Sequence, residues 1–230
     1  MKKFRFLTSG ESHGKCLNAI IEGVPAGIRI KADIINNDLA RRQVGYGRGD
    51  RMKIESDTVE IKSGVRHGKT TGAPICLEIQ NKDYINWEDV MAVEGYDYLT
   101  EEQKRKIESR SFTKVRPGHA DYAGSVKYNL SDLRDVLERS SARKTAIEVA
   151  VGSVAKQILR EFGIMGFCHV IQIGDVKLDF YPKTYTLIKE KAEKSDVRCA
   201  DDLTADRMKR AIDEAAEAGD TLGGKFEVIY

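Results

Sequence analysis

Four stretches of this chain gather residue types suited to anionic, proton-exchanging ligands. Ser12 and His13 sit in Gly10-Glu11-Ser12-His13-Gly14, a polar loop flanked by glycines. An imidazole there can exchange a proton near neutral pH, and a surface histidine in a turn would look the same. Arg41, Arg42, Arg48 and Arg51 surround Gly45-Tyr46-Gly47-Arg48-Gly49. Guanidinium forks match phosphate and carboxylate geometry. The interleaved glycines, at about 0.5–1 kcal/mol of backbone order each, distinguish the run from a merely solvated basic face, the other reading. Arg116-Pro117-Gly118-His119-Ala120-Asp121 places a cation, an imidazole and a carboxylate around a rigid turn. If the turn folds them together, Asp121 orients His119 to give a proton to a leaving oxygen; otherwise the stretch is a surface turn with a fortuitous ion pair. Arg139-Ser140-Ser141-Ala142-Arg143 brackets two hydroxyls with two guanidiniums. At a helix start this would bind phosphate, whereas mid-helix it would be two serines with outward arginines.

The remaining histidines carry less. His67, in Val65-Arg66-His67-Gly68-Lys69, has no obvious partner, and His169 beside Cys168 in an apolar run reads as a packed residue. No spacing of His, Cys and carboxylate suits a metal, so no metal site is expected. Gly45-x-Gly47-x-Gly49 and Gly223-Gly224 match neither a P-loop nor a dinucleotide fingerprint.

The elements that must position these groups follow from periodicity. Phe4–Leu7 and Leu17–Ile21 read as strands on either side of the His13 loop. Gly23-Val24-Pro25-Ala26-Gly27 is a turn, and Asp33 is placed to cap a helix to Arg42 that buries Ile34, Ile35 and Leu39. Strands are expected at Val59–Lys62 and Ile75–Ile79, around a turn-rich stretch. Residues 81–111 form a long excursion, helical around Glu101–Ile107. Ser131 is placed to cap a helix carrying Leu133, Val136 and Leu137; a second apolar series runs from Ile147 to Phe162, and any break falls at Ser140-Ser141. His169–Ile173 and Lys225–Tyr230 read as strands, and Thr204 as the cap of a helix ending at Gly219. Strands and helices do not alternate regularly, which favours an α+β fold with antiparallel sheets.

Composition narrows the function classes. Thirty-eight basic and 36 acidic residues leave a net charge of +2 in 230 residues, so no global field draws the chain to nucleic acid or an anionic membrane. The four cysteines are scattered, no apolar run approaches the roughly 20 residues of a membrane span, and Met1-Lys2-Lys3 is followed too soon by Thr8 and Ser9 for a signal peptide. A cytoplasmic home is expected. No repeat or linker divides the chain, which reads as one domain over residues 1–230.

In this order the motifs resemble the chorismate synthase family. Gly10 to Gly14 followed by Glu22-Gly23-Val24-Pro25-Ala26-Gly27 is similar to its N-terminal signature, and Arg139 to Arg143 to its central one. Asp38-Leu39-Ala40-Arg41-Arg42, Gly45 to Gly49, Ser63 to Lys69 and Arg116 to Asp121 are similar as well. The resemblance implies a carbon–oxygen lyase of the shikimate pathway, serving aromatic amino-acid biosynthesis. It would convert 5-enolpyruvylshikimate 3-phosphate to chorismate and phosphate by anti elimination, assisted by reduced FMN. It implies catalytic roles for His13 and His119 and substrate contacts from Ser12, Arg42, Arg48 and Arg116. Arg139, Ser140 and Ser141 would contact FMN, and Arg42 and Arg48 NADPH where that reduces the flavin. The fold implied places helices between antiparallel sheets in a homotetramer, with no nucleic-acid or membrane partner. Asp50 and Lys144 depart from the family pattern; the latter removes a capping-box partner for Ser141. Family members continue past Gly224, and a strand is expected to run to Tyr230, so the chain is expected to hold the N-terminal portion of the family's length. The alternative to a lyase is an incomplete fragment that binds anionic ligands or partner subunits without turnover.

Overall fold

Alternation of apolar and polar residues gives strand β2 (Cys16–Glu22) one buried face, carrying Leu17, Ala19 and Ile21. Strand β6 (Ile75–Gln80) does the same with Ile75, Leu77 and Ile79. The antiparallel register sets Leu17 opposite Ile79, Ala19 opposite Leu77 and Ile21 opposite Ile75, so one face of the pair is continuously apolar. Each such buried aliphatic side chain contributes about 1.5–3 kcal/mol relative to exposure. Strands β1 (Arg5–Ser9) and β3 (Val59–Ser63) complete a four-stranded antiparallel sheet in the order β1-β2-β6-β3. The short strands β4 (Val65–Arg66) and β5 (Lys69–Thr70) form a hairpin whose tip, His67-Gly68, has both residues at positive φ. His67 is therefore an exposed turn residue.

The computed structural model describes residues 3–47 and 56–230. Arg48, Asp50 and Arg51 lie outside the described residues. Packing sorts the chain into two units, Met1–Ala40 with Lys53–Ala155, and Arg41–Met52 with Lys156–Tyr230. The boundaries fall inside helix α1 (Ala32–Gln43) and close to the end of helix α5 (Thr145–Arg160), so no linker composition announces them.

In the first unit α1 buries Ile35 and Leu39, and α5 buries Ala146, Ile147, Ala150, Val151 and Val154. Between β6 and α5 come helices α2 (Glu101–Arg110), α3 (Asp121–Tyr128) and α4 (Arg134–Ser140). Thr100 and Gln103 close a capping box at the start of α2. The second unit has an antiparallel sheet in the order β8-β7-β9, from β7 (Phe167–Ile173), β8 (Val176–Lys177) and β9 (Gly224–Ile229). Helices α6 (Tyr185–Lys194) and α7 (Asp202–Glu217) accompany it, with Ile188, Ala205 and Met208 in a core that includes Leu178, Val197 and Cys199.

The α+β expectation and the strand positions hold. The helix starts differ in instructive ways. α1 begins at Ala32, so Asp33 lies in its first turn rather than capping it. Asp132, not Ser131, serves the start of α4, accepting from the backbone N–H groups of Arg134 and Phe112. Asp201 caps α7 through the N–H of Thr204, three residues earlier than expected, and Thr204 Oγ1 donates to the same Asp201 Oδ2, so the expected cap is itself a donor to the actual one. The expected break between the two apolar series is present: α4 ends at Ser140, and a short 3₁₀ turn, Ala142–Lys144, precedes α5.

Gly64 turns the chain from β3 into β4 at φ 80°, and a Cβ there would meet the Pro74 carbonyl oxygen and Ile75 Cα at 2.6 Å. Gly68, at φ 74°, faces open space. Gly68→Ala should cost only the left-handed backbone term, about 1 kcal/mol. Gly64→Ala adds an overlap worth about 1–3 kcal/mol more. Urea midpoints of the two variants measure the difference, and equal values would contradict the close approach.

Candidate active site

The loop between β1 and β2 is held against α4. Ser12 is buried, its backbone N–H donates to the Glu138 carbonyl at 3.0 Å, and its hydroxyl donates to Ser141 Oγ at 3.0 Å. The carboxylate of Glu138, whose side chain is 0% exposed, meets three donors or ring nitrogens. His13 N–H donates to Oε2 at 2.7 Å, His13 Nδ1 lies 2.8 Å from Oε1, and Arg134 Nη1 donates to Oε1 at 3.1 Å. Burial alone would push the Glu138 carboxyl up, but the hydrogen bonds and charge of His13 and Arg134 outweigh it and hold the group below its ordinary value.

The excursion after β6 roofs the loop. Trp87 stacks on His13 with ring centroids 4.0 Å apart, and the guanidiniums of Arg110 and Arg134 lie 4.2 and 5.1 Å from the Trp87 ring. Asp83 accepts from Trp87 Nε1 at 3.1 Å and lies 4.0 Å from His13 Nε2. Asn81 donates to the carbonyls of Glu11 and Gly14 at 3.0 and 2.6 Å, and its own oxygen accepts from Arg143 Nε at 2.9 Å. Arg143 is itself buried and paired with Asp57 at 2.6 Å. Arg139 reaches back to Thr8 O at 2.9 Å and Gly10 O at 3.3 Å, pinning the entry to the loop.

A second cluster forms at the start of α3. Asp121, whose side chain is 0% exposed, accepts from Arg116 through its backbone N–H, Nε and Nη2 at 2.9–3.0 Å, and from His119 Nδ1 at 2.6 Å. A carboxylate only accepts, so Nδ1 carries the hydrogen, and Arg116 Nη2 lies against the ring, 3.0 Å from Nδ1 and 3.1 Å from Nε2. Arg116 is the main cause that holds the Asp121 carboxyl far below the usual carboxylate range, and Asp121 in turn raises the Arg116 guanidinium. Phe112 connects the clusters: its ring lies under Arg116, its carbonyl accepts from Leu133 N–H, and Arg134 donates to the nearby Arg110 carbonyl.

A cavity of about 550 Å³ opens between α3 and α4, within the range of small-molecule sites. Lys127, Arg139, Ser140 and Lys144 line it together with the carboxylate-bearing Asp135 and Tyr128; Ala123, Leu130 and Val136 are among its apolar walls, and Ala120, next to His119, also lines it. Three cationic side chains against one carboxylate, over apolar walls, suit a ligand with an anionic group and an apolar body. Gly124 lets the helices approach, since a Cβ there would meet Val136 at 2.5 Å.

A family model described as chorismate synthase matches residues 4–230. The chain belongs to the chorismate synthase family. It is 54% identical over 226 residues to a chorismate synthase of Exiguobacterium sibiricum and 52% identical over 228 residues to one of a Geobacillus species, covering 98% of this chain in each case. A solved structure, "Crystal Structure of Chorismate Synthase", superposes with a TM-score of 0.73 at 40% identity over 99% of this chain. The chain spans 56–57% of the length of these chorismate synthases.

Ser12, His13, Arg116, His119, Arg139, Ser140 and Ser141 all lie in the first unit, in the network just described. Arg42, half-buried in the last turn of α1, belongs to the second unit, where its neighbour Arg41 is paired with Glu193 at 2.7 Å. Arg48 lies outside the described residues. Ser140 Oγ donates to the Val136 carbonyl at 2.6 Å, and Ser141 faces Ser12 and the N–H of Arg143. Lys144 pairs with Glu148. His169 is buried against Glu227, as a packed residue should be. Among the described residues no group of His, Cys, Asp and Glu is arranged to hold a metal, and no helix is long and apolar enough to cross a membrane. The sequence reading missed Glu138, Asp83, Trp87, Arg110, Arg134 and Lys127. The only local signal was i,i+4 spacing, Arg134 with Glu138 and Asp83 with Trp87.

Ionised Asp121 stabilises the fold fully above an ordinary Asp pKa of about 3.9, and that stability is lost as pH falls through the acid range. Asp121→Asn should lower the urea midpoint at pH 7 and flatten its decline between pH 5 and 3. An unchanged acid slope would contradict the pairing.

Proposed function

We propose that the protein containing this chain is a carbon–oxygen lyase that converts 5-enolpyruvylshikimate 3-phosphate to chorismate and phosphate by anti elimination. Membership of the family supports this, and the observation that carries it is a pair of histidines, His13 and His119, each braced by a buried carboxylate and an arginine. In this reading His119 gives a proton to the departing phosphate oxygen. Asp121 retains the hydrogen on Nδ1, so the donor is the doubly protonated ring, which gives up its Nε2 proton and reverts to the Nδ1–H form. Arg116 and Ser12 contact the substrate in this reading, and Arg42 and Arg48 are assigned to its phosphate and carboxylates by the family resemblance.

In the same reading reduced FMN is assigned to the cavity between α3 and α4, whose volume and cationic lining support it. Arg139, Ser140, Lys127 and Lys144 would hold its phosphate and polar edge, and Ser141, which accepts from Ser12, is the third residue of the central motif assigned to it. Bound there, it would supply an electron-rich ring, with no net redox change over the turnover. His13 exchanges a proton with the bound ligand. NADPH as reductant, with contacts from Arg42 and Arg48, a cytoplasmic location, a homotetramer and a single functional domain over residues 1–230 belong to the same proposal.

The shorter span relative to its relatives favours a second reading: these 230 residues alone bind anionic ligands or partner subunits without turnover. FMN titration of the 230 residues beside a turnover assay of the whole protein separates the two. Under anaerobic conditions with reduced FMN, the whole protein should form chorismate, and His119→Ala should slow it by about 10²–10⁴-fold. No chorismate from the unsubstituted protein would refute the lyase.

A further inference from the structure

The geometry points to Glu138 as the positioning residue for His13: it fixes the ring as the Nδ1–H tautomer and leaves Nε2 as the one ring atom that exchanges a proton with a bound ligand. The catalytic part of this inference rests on the proposed function; the tautomer does not.

Three observations carry it. Every contact to the Glu138 carboxylate is from a donor or a ring nitrogen: His13 N–H, His13 Nδ1 and Arg134 Nη1. A fully buried carboxylate kept ionised by those partners accepts and does not donate, so Nδ1 must bear hydrogen. The backbone N–H and the ring of the same residue bind the same carboxylate, so the loop and the imidazole are oriented together. On the other side, Asp83 is occupied by Trp87 Nε1 and Asn86 Nδ2 and lies 4.0 Å from His13 Nε2, beyond hydrogen-bonding range. Nε2 is thus left available while the ring is fixed by stacking on Trp87.

The charged groups facing the ring from its packed neighbours are Glu138 and Arg134 of α4, Asp83 of the turn after β6, and Arg110 at the end of α2 through Trp87. When Nε2 takes a proton from a ligand, the imidazolium sits between two carboxylates; when it returns the proton, the ring reverts to the Nδ1–H form. One proton moves in each direction, and Glu138 keeps its charge throughout.

Replacing Glu138 with Gln keeps the shape and puts an NH₂ where an acceptor stood. If the Gln oxygen serves the His13 N–H, its NH₂ faces Nδ1 and the ring must switch to the Nε2–H tautomer. The test is ¹⁵N NMR of the whole protein labelled at histidine, where four residues make assignment tractable. The neutral His13 ring of the unsubstituted protein should show Nδ1 protonated and Nε2 bare, and Glu138→Gln should shift the majority to Nε2–H. Chorismate formation by Glu138→Gln should fall about 100-fold or more, in kcat rather than KM. An Nε2–H ring in the unsubstituted protein overturns the inference without any variant having to fold. Unchanged kcat alongside a switched tautomer overturns its catalytic part. Failure of the unsubstituted protein to turn over would refute the proposed function and leave the tautomer standing.

Discussion

The Glu138 carboxylate is the interaction on which the site's geometry depends. It is a charge with no access to water, and a buried carboxylate persists only when its donors are in place. Arg134 is supplied by α4 itself, one turn away, so the helix brings half of the compensation with it. The other half comes from a loop 125 residues distant in sequence. The fold must therefore dock the Gly10–Gly14 loop on α4 or leave the carboxylate short of partners, and that coupling ties the β1–β2 sheet edge to the helical layer.

The rest of the loop's environment reads as support for that docking. Asn81 takes the carbonyls of Glu11 and Gly14, Arg139 takes those of Thr8 and Gly10, and Ser12 N–H takes that of Glu138, so the loop's backbone polar groups find protein partners rather than solvent. Asn81 is held in turn by Arg143, whose charge is paired with Asp57 inside the unit. Gly10 completes the arrangement at φ 100°, because a Cβ there would stand 2.3 Å from the Cys16 carbonyl oxygen. The Arg139–Arg143 motif thus braces the Gly10–Gly14 motif mechanically while Arg139 and Ser140 also face the cavity between α3 and α4.

What could be read in the sequence follows the range of the forces involved. Strands β2, β6 and β7 were legible because a period-two pattern is local, and the helix break at Ser140-Ser141 because serine hydroxyls compete with helix hydrogen bonds. The acceptors at the helix starts, Asp132 before α4 and the cap Asp201 of α7, lie one and three residues from the expected Ser131 and Thr204, since several neighbouring side chains can serve one N-terminus and only the final backbone path selects among them. Helices α3 and α6 were not expected: α3 is one short amphipathic stretch after a Pro-Gly turn, and its pattern is too brief to separate from the loop around it. In residues 81–111 the helical stretch was legible and Trp87 was not, because the partners of its ring include His13 and Arg134 from distant parts of the chain. Trp87 has a role only once the chain has folded back.

The two histidines show the same contrast within one chemistry. Each has Nδ1 on a carboxylate whose side chain is 0% exposed, and each carboxylate is shared with an arginine. For His119 the whole set lies within Arg116 to Asp121, so a rigid Pro-Gly turn suffices and the motif can be read directly. For His13 the carboxylate and arginine come from α4, and no sequence spacing reveals them. The local set leaves the His119 side chain 30% exposed, and the distant set leaves His13 at 15%, under Trp87. A short turn cannot enclose its own histidine, because six residues do not supply a wall on every side; enclosure requires elements from elsewhere. The histidine that is harder to find in the sequence is for that reason the more enclosed of the two, and the one whose ring orientation the surrounding fold fixes.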